Sequence, residues 1–513
     1  MTKEQICIVL AIVLYLGMMI LVGLYFSRKN KDASANEFYL GGRKLGPIVT
    51  AMSAEASDMS SWLLMGLPGL AYIYGIAEAS WTAIGLAVGT YVNWLIIARR
   101  LRRYTVITGD CVTIPEFFSR RYRDNKKILN FIASCVIIIF FVPYTASGFS
   151  AVGKLFESLF GVDYHVAMVV GAVIIIGYTV LGGFLAVSTT DLIQSIVMSI
   201  ALLVILGFGV SVAGGLDVVM ENAKALPSYL SLTSTYDGAG GTSPYGFLTI
   251  VSTLAWGLGY FGMPHILLRF MAIRDEKELK TSRRIATSWV VISMFVAIFI
   301  GIVGYSVSLA GSIETFTTTS ESETLIIKLA YLLAENGVFL ALVAGVVLAG
   351  ILACTMSTAD SQLLTAASSV SENLLQDCFK IKLSAKKSLM VARLTVAAIA
   401  IIGIIVAWDR DSSVFSIVSF AWAGFGASFG AVMLMALTWK RSNKYGAIAG
   451  MISGAIMVFV WKYGIAQLGG VFTIYELLPA FLTSIFFIVV VSLATGKPEQ
   501  EICDEFDQMA KKA

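Results

Sequence analysis

The chain has 513 residues, of which 57% are hydrophobic and 14% are charged, with a net charge of +4 at pH 7. Soluble domains are about 25% charged, so the composition excludes a string of soluble domains and predicts an all-α polytopic membrane protein. The small net charge gives no reason to expect a nucleic-acid partner. The six cysteines form no CxxC pair, so the sequence indicates neither a zinc site nor a disulfide framework.

Thirteen hydrophobic segments are long enough to cross a bilayer as helices, because about 20 apolar residues span the hydrocarbon core. These segments lie at about 5–26, 46–75, 80–98, 128–150, 163–182, 189–214, 246–272, 286–310, 337–368, 388–408, 413–438, 446–467 and 472–495. We predict one transmembrane domain over residues 1–496, followed by a short cytoplasmic tail at 497–513. The polar connections are too short for a folded ATPase or signalling domain, which argues against an ATP-driven pump and a two-component sensor.

Lysine and arginine residues concentrate in alternate loops, and this sets the expected orientation by the positive-inside rule. The loops with five, nine, five, four and three basic residues are 27–45, 99–127, 273–285, 369–387 and 439–445. The intervening loops hold one or none each. We therefore expect a multi-pass protein of the cell (inner) membrane with its N-terminus outside and its C-terminus in the cytoplasm. Topology and contact with the lipid bilayer suffice to explain the basic clusters.

Two of the predicted spans are poor regular helices. The second carries Glu55, Asp58 and four serines at membrane depth, and the seventh has three glycines and a proline between Trp256 and His265. Non-helical backbone at that depth survives only where protein buries it or where it lines a cavity. The alternative is a pair of glycine-kinked helices that merely pack closely, which leaves the carboxylates unexplained.

The two interrupted spans are five spans apart, an odd number, so two five-span halves would run through the membrane in opposite directions. Breaks at matching positions point to an inverted-repeat secondary transporter, with its binding site between the breaks near the bilayer midplane. We predict the first repeat at 46–214 and the second at 246–438.

Acidic residues lie within the predicted spans, where an ionised carboxylate costs roughly 2.5–3.5 kcal/mol on insertion scales. Four of these acidic residues are Glu55, Asp58, Asp191 and Asp360, and the basic residues within the spans include Arg269 and Arg393. A bound cation would neutralise some of these charges and would also serve as a coupling ion. Protonation, or hydrogen bonding to helix ends, is the alternative that the residues leave open.

Hydroxyl side chains cluster towards the end of the ninth span, at Ser357, Thr358 and Ser361. Sodium is a hard cation that prefers hydroxyl, carbonyl and carboxylate oxygens, so this cluster is a candidate for ion binding. Ser357 and Ser361 are four residues apart and share one face of a helix. Serine and threonine in membrane helices also bond to their own helix carbonyls, and the sequence leaves that alternative open.

Several motifs follow one another between about residues 39 and 430. The segment Ala56-Ser57-Asp58-Met59-Ser60, with Trp62 and Met65-Gly66-Leu67-Pro68-Gly69, is similar to the first core helix of bacterial sodium/proline symporters. The further matching segments are Tyr39–Arg43, Gly182–Val187 with Thr190-Asp191, Trp256–His265 with Arg269–Ala272, Met356–Thr358 with Gln362–Leu364, and Trp422–Phe429. On these residues the chain is identified as a member of the solute:sodium symporter family. The resemblance implies a LeuT-like fold with a five-plus-five inverted-repeat core, broken helices and about thirteen transmembrane helices, and it implies no enzymatic chemistry.

The resemblance also implies roles for individual residues. Sodium is expected between the first and eighth core helices, on the backbone carbonyls of Ala56, Met59 and Cys354 and on the hydroxyls of Ser357 and Thr358. Substrate contacts are expected from Asp58, Ser60, Trp62, Tyr144, Trp256, Tyr260 and Pro264. The aromatic residues suit an apolar pyrrolidine ring. We therefore predict a sodium-coupled symporter that imports a small amino acid, with proline as the expected substrate.

The chain departs from the family pattern at a few positions, which are Glu55, Ser61, Met263, Cys354 and Asp360. Glu55 and Met263 lie close to the expected pocket, which keeps another small organic solute open as the substrate. Coupling to protons in place of sodium is a further alternative. No cofactor besides the coupling ion, and no obligatory protein partner, is expected.

Some members of the family couple to two sodium ions. The resemblance implies a second sodium site formed by Asp191, Asp360, Ser357 and Ser361. The alternative is that Asp191 caps its own helix, because Ser188-Thr189-Thr190-Asp191 is a typical helix start and a carboxylate there is favoured by the helix dipole.

Overall fold

The computed structural model describes residues 2–29, 35–179, 183–238 and 240–511. The part that it describes is almost entirely helical, apart from one antiparallel pair of short strands in a loop, β1 Ser234–Tyr236 and β2 Thr242–Pro244. The helices are α1 Lys3–Lys29, α2 Ala35–Leu40, α3 Pro47–Asp58, α4 Trp62–Tyr74, α5 Ile76–Ile107, α6 Ile114–Arg121, α7 Ile128–Phe160, α8 Tyr164–Thr179, α9 Gly183–Val212, α10 Leu216–Ala225, α11 Phe247–Phe261, α12 Pro264–Ala272, α13 Leu279–Leu309, α14 Thr319–Ser322, α15 Leu325–Ala334, α16 Val338–Cys378, α17 Ala385–Val406, α18 Val414–Thr438, α19 Lys444–Tyr463, α20 Leu477–Ala494 and α21 Gln500–Ala510.

The thirteen predicted spans each coincide with a helix or with a broken pair of helices. By length and composition, 10 helices within the described ranges can cross a membrane, or 11 if α11 and α12, which meet at a bend of 48°, form one span. The remaining two predicted spans are α3 with α4, whose halves are each short, and α8, which has 16 described residues. The lower count therefore reflects the predicted interruption between α3 and α4. For α8 it reflects the end of the described range, because residues 180–182 of the predicted span 163–182 lie outside the described residues.

The first broken span consists of α3 and α4, and the chain leaves the helix between them. Met59 has a backbone ψ of 72°, which no α-helical residue adopts. Ser60 N donates to the carbonyl of Asp58 at 2.7 Å and not to the carbonyl of Ala56 four residues back. The break thus releases the Ala56 carbonyl from the helical ladder at the centre of the protein.

The second broken span consists of α11 and α12. Its last turns before the break are 3-10 helix, and Pro264, which has no N–H, opens α12. Glycine is required here by close approach, since a Cβ on Gly259 would lie 1.9 Å from Trp422 Nε1 and one on Gly262 would lie 2.1 Å from the Phe425 carbonyl oxygen. The glycines therefore let α18 pack directly on the backbone of the break.

Four segments of the described helices are π-helical, with hydrogen bonds that reach five residues along the chain. They are Trp62–Gly66, Asn93–Ala98, Ser369–Cys378 and Gly426–Gly430. Such wide turns are often found at functional sites. The first follows the break in the first broken span directly, and the last packs on the second broken span, where a Cβ on Gly426 would lie 2.9 Å from Gly259 Cα.

The basic loops meet on one face of the molecule. Arg43 bonds to Asp110 at 2.8 Å, and Arg103 bonds to Glu276 at 2.6 Å, so three of these loops are joined. Asn373 donates to Thr113 at 3.0 Å, which brings in a fourth loop. This common face agrees with the loop charges, and it remains our proposal that the face is cytoplasmic.

The C-terminal tail is helical and packs on the same face. The apolar side chains of Ile502, Phe506 and Met509 on α21 are buried. Lys440, in the loop after α18, bonds to Asp507 at 2.5 Å. The tail therefore contacts the basic loops, where the sequence predicted only a short cytoplasmic tail at 497–513.

Candidate functional site

Asp58 is the last residue of α3, and its carboxylate is fully buried at the first break. Tyr260 Oη donates a 2.6 Å hydrogen bond to Asp58 Oδ2, which joins the first broken span to the second. The backbone carbonyl of Asp58 accepts bonds from Tyr144 Oη and Trp62 Nε1, both at 3.2 Å. Four residues that the sequence predicts as substrate contacts thus meet at one point.

Buried polar atoms at the first break have no hydrogen-bond partner among the described residues. These atoms are Asp58 Oδ1, Ser60 Oγ and Ser61 Oγ. An unsatisfied buried polar atom costs about 1–3 kcal/mol, so native proteins usually provide it with a partner. One carboxylate oxygen and two hydroxyls fit a cation together with the polar end of a small solute.

An aromatic wall stands beside Asp58. The ring of Trp256 lies 6.4 Å from Trp62 and 6.1 Å from Trp422, measured between centroids. Trp422 meets Tyr260 edge to face at 5.1 Å, and its Nε1 donates to the Trp256 carbonyl at 2.7 Å. Apolar faces and a carboxylate are thereby combined in one region, as a small amphipathic solute requires.

Two further aromatic residues complete the wall, and the sequence did not single them out. Tyr475 stacks on Trp256 at 5.1 Å, and Phe415 lies 5.2 Å from it. Both line a cavity of about 340 Å³ that reaches Trp256 from the face opposite the basic loops. Among the aromatic residues around Trp256, Trp422 is the one that the sequence indicated outside the predicted substrate contacts, because it lies in one of the matching motifs.

The predicted sodium ligands also come together. Ser357 Oγ is 2.7 Å from the released carbonyl of Ala56 and 3.1 Å from the carbonyl of Cys354, and Thr358 Oγ1 is 3.1 Å from the same Cys354 carbonyl. Both hydroxyls therefore bond back to their own helix, as the alternative foresaw. Ser357 Oγ also bonds to the Ala56 carbonyl. Two carbonyls and two hydroxyls form a set of hard oxygens that fits sodium.

The other predicted residues lie nearby. Met59 is buried at the first break, and its N–H bonds to the Glu55 carbonyl at 2.8 Å. Pro264 begins α12 next to the second break. The Glu55 side chain is buried one turn before Asp58 and accepts a 3.0 Å bond from Trp94 Nε1, which the sequence did not predict.

We predict that Ser357→Ala and Thr358→Ala each raise the sodium concentration for half-maximal uptake roughly tenfold, because losing one hard ligand costs on the order of 1.4 kcal/mol. The loss in apparent substrate affinity should shrink at saturating sodium, since linkage is reciprocal. Thr355→Ala is the matched control, because Thr355 Oγ1 only bonds back to the Ile351 carbonyl at 2.8 Å. Equal weakening at every sodium concentration would instead indicate direct substrate contact.

Arg269 occupies the centre of the region where the sequence predicts a second sodium site. Its Nη2 donates to Asp191 Oδ2 at 3.0 Å and to Ser361 Oγ at 2.5 Å, and its Nε donates to Ser53 Oγ at 3.0 Å. Ser53 in turn donates to Asp191 at 2.6 Å. The guanidinium therefore supplies the positive charge beside Asp191, and it ties the first broken span, the second broken span, α9 and α16 together.

The helix-capping alternative for Asp191 is wrong. Asp191 lies in the interior of α9, which in the described residues already begins at Gly183. Thr189 and Thr190 bond back to the carbonyls of Leu185 and Ala186, at 2.7 and 3.1 Å. The run of hydroxyl residues is therefore accommodated inside the helix. Asp360 is fully buried on α16, and its part in a second sodium site stays a prediction.

Sequence comparison relates the chain to known transporters. The model of the sodium:solute symporter family matches residues 38–454. The chain is 40% identical over 504 residues to sodium/proline symporter 2 of Staphylococcus saprophyticus, with 97% of this chain and 95% of that protein covered. It is 41% identical over 486 residues to a sodium/proline symporter of Staphylococcus aureus, with 94% and 91% covered.

Structure comparison gives the same fold at low sequence identity. The substrate-bound, outward-open structure of a Na⁺-coupled sialic acid symporter aligns with a TM-score of 0.76 and 19% identity, over 96% of this chain and 99% of that one. MhsT in complex with L-phenylalanine aligns with a TM-score of 0.55 and 11% identity, over 87% and 98%. The predicted LeuT-like fold is thereby confirmed, while the boundaries of the two repeats stay a prediction.

Proposed function

The chain belongs to the sodium:solute symporter family, and from this membership we propose that it imports proline together with sodium by alternating access. It is a multi-pass membrane transporter and not an enzyme. We place the N-terminus outside and the C-terminal tail in the cytoplasm, because the basic residues concentrate in the loops on one face. The relatives that are named sodium/proline symporters support proline as the solute.

The observation that carries the proposal is the meeting of three features at the two breaks. Asp58 presents Oδ1 without a partner among the described residues, and an aromatic wall stands beside it. The hard oxygens of Ala56, on the same helix, and of Ser357 and Thr358, on α16, lie close together. The oxygens suit sodium and the rings suit a pyrrolidine. We propose that Asp58 links the two ligands, because its carboxylate bonds to Tyr260 of the second broken span.

The driving force is sufficient for uphill transport with one sodium ion. One charge that moves through about 100 mV releases roughly 2.3 kcal/mol, and a tenfold sodium gradient adds about 1.4 kcal/mol. Together they support accumulation by a few hundred-fold. Sodium is expected to order the first break, because its proposed ligands join the carbonyls of Ala56 and Met59 at that break to the hydroxyls of α16. The solute is then expected to close the outer path.

The direct test is uptake of labelled proline by proteoliposomes with and without a sodium gradient. We expect uptake only with sodium outside. The runner-up is the same mechanism with another small organic solute, which the buried Glu55 and Met263 beside the site favour. Competition by a panel of amino acids, sugars and carboxylates distinguishes the two, and uptake that proceeds without sodium at low pH would contradict sodium coupling.

Trp256→Ala is predicted to weaken proline binding while half-saturation by sodium is largely retained. The substitution removes a ring that faces Trp62, Trp422, Phe415 and Tyr475. Stacking and area burial of this kind amount to about 1–3 kcal/mol, or roughly 5- to 150-fold in affinity. Trp81→Ala is the control, because Trp81 bonds to Leu232 away from the site. A loss of folded protein with normal binding in the remainder would make Trp256 a packing residue.

A second sodium ion is predicted to bind Asp191, Asp360, Ser357 and Ser361. It can do so only when the Arg269 guanidinium moves away from Asp191 and Ser361, to which it bonds in this structure. Paired current and flux measurements give the number of charges moved per solute. A ratio of two that falls to one in Asp360→Ser would support the second site. A ratio of one that Asp360→Ser leaves unchanged would refute it.

A further inference from the structure

A second buried ion pair lies far from Arg269, on the face opposite the basic loops. Lys154 on α7 and Glu323 between α14 and α15 are 2.7 Å apart, with side-chain exposures of 4% and 0%. Among the described residues, only this pair and Arg269–Asp191 have both side chains below 5% exposure. The proposed transport function assigns no role to Lys154 or Glu323.

The ammonium group of Lys154 is fully satisfied. Its Nζ donates to Glu323 Oε2 at 2.7 Å, to Ser320 Oγ at 2.8 Å and to the Ser412 carbonyl at 2.9 Å. A lysine has three donors, and each has an acceptor here. Lys154 therefore connects α7 with the segment that contains α14 and with the loop before α18.

The carboxylate of Glu323 acts as a cap for α18. Its oxygens accept the backbone N–H groups of Val414 and Phe415, both at 3.1 Å. These are the first two residues of α18, and the first N–H groups of a helix have no partner within it. A negative charge at a helix start is also favoured by the helix dipole. The local N-cap of α18 is Ser413, which accepts the Ser416 N–H at 3.3 Å and donates to Glu323 at 2.8 Å. Glu323, about 90 positions earlier in the chain, therefore adds a distant contact to this local cap.

The capped end of α18 carries Phe415, which lies between the first broken span and Trp256. A Cβ on Gly66 of α4 would be 3.0 Å from Phe415 Cβ, so Phe415 packs directly on α4. On its other side, Phe415 lies 5.2 Å from the ring of Trp256. The backbone of Glu323 also rests on α4, because a Cβ on Gly69 would be 3.1 Å from Glu323 N.

We propose that Glu323, held by Lys154, is a positioning residue for the solute pocket: it fixes the start of α18 so that Phe415 covers Trp256 on the outer side. The inference rests on the proposed function only in taking Trp256 as a wall of that pocket. Glu323 itself does not touch the solute and acts through the backbone of Phe415.

The test uses the double variant Lys154→Met/Glu323→Met, which removes both charges and avoids leaving one buried charge alone. An ion pair that merely stabilises the fold would leave the KM for proline unchanged in this variant. A positioning role raises that KM between about tenfold and 100-fold, because the N–H groups of Val414 and Phe415 still lack their acceptor. Phe415→Ala should raise the KM similarly, and adding it to the double variant should have little further effect.

Glu157→Gln is the matched control, because Glu157 lies on the same helix and pairs with Arg410 at 3.0 Å in a more exposed position. A second readout needs no solute: the rate at which a membrane-impermeant maleimide modifies Ser419→Cys, which lines the outer cavity. We expect faster modification in the double variant than in the Glu157→Gln background. A double variant with the KM and the modification rate of the parent would overturn the proposal. Faster modification in a protein that does not transport proline would leave the positioning role in place and count against the proposed function.

Discussion

Asp58→Asn is expected to lower sodium-dependent uptake by roughly 100-fold while the protein still folds and inserts. The substitution keeps the size of the side chain and removes the charge from the group that bonds to Tyr260 at 2.6 Å. A hydrogen bond to a charged group contributes about 1.5–3 kcal/mol, and the proposed sodium ion also loses its attraction to the carboxylate. A 100-fold loss corresponds to about 2.7 kcal/mol. Uptake rates over a range of sodium concentrations, normalised to inserted protein, measure the effect.

Glu55→Gln is the matched control for Asp58→Asn. It removes a buried carboxylate from the same helix one turn earlier, where Trp94 already bonds to one of its oxygens. We expect a smaller effect and unchanged half-saturation by sodium. Transport by Asp58→Asn with unaltered sodium dependence would contradict the role of Asp58, and equal losses in the two variants would make the effect a general response to lost charge.

Arg269→Gln is expected to destabilise the protein by about 3–5 kcal/mol, because it leaves Asp191 buried without its ionic partner. Arg269 bonds to Asp191, Ser361 and Ser53, and it also donates to the His265 carbonyl at 2.7 Å. The variant should therefore give much less folded protein in the membrane. Thermal stability in detergent and the yield of monodisperse protein measure the loss.

The double variant Arg269→Gln/Asp191→Asn tests the reason for that loss. Removing both charges should restore most of the stability, since an intact buried ion pair contributes little net free energy relative to a neutral pair. If the double variant is as unstable as Arg269→Gln, the arginine stabilises the core through its other bonds. If Arg269→Gln alone is stable, Asp191 has another partner and the ion pair is not the neutralising contact.

The broken spans could be predicted from sequence because their cause is local. Three glycines and a proline at Trp256–His265, and serines beside carboxylates at 53–61, are unfavourable in a regular helix wherever they occur. The meeting of Asp58 with Tyr260, 202 positions apart, followed from the symmetry of the two breaks and from the resemblance to known transporters.

The partner of Asp191 could not be predicted in the same way. Arg269 is 78 positions away. The sequence showed it as a basic residue within a span but did not indicate which of the four acidic residues it contacts. The neighbouring hydroxyl residues resembled a helix start, but in the structure they bond back to carbonyls of the preceding turn. Serine and threonine occur both at helix starts and inside helices, where their hydroxyls bond to carbonyls of the preceding turn. Their presence alone therefore does not show whether the helix starts there or continues.

The contacts of Phe415 and Tyr475 with Trp256 could not be predicted for a different reason. Phe415 and Tyr475 are aromatic residues at the edges of apolar spans, where aromatic side chains are common. Their position over Trp256 depends on where α18 and α20 begin. Ser413 caps α18 locally, but Glu323 from another segment also holds the first N–H groups of that helix. The part of the contact that depends on Glu323 has no local pattern in the sequence.

The π-helical segments have a consequence for how related chains differ in length. Each π-helical turn contains one residue more than an α-helical segment of the same length along the axis. A related protein can therefore lack that residue and be α-helical there, while the flanking turns keep their register. Trp62–Gly66 and Gly426–Gly430 offer two such places next to the breaks. Single-residue gaps within these spans are thus compatible with a common ancestry of the transport core. A sequence alignment that allows gaps only in loops would misplace the residues around Asp58 and Trp422 by one position.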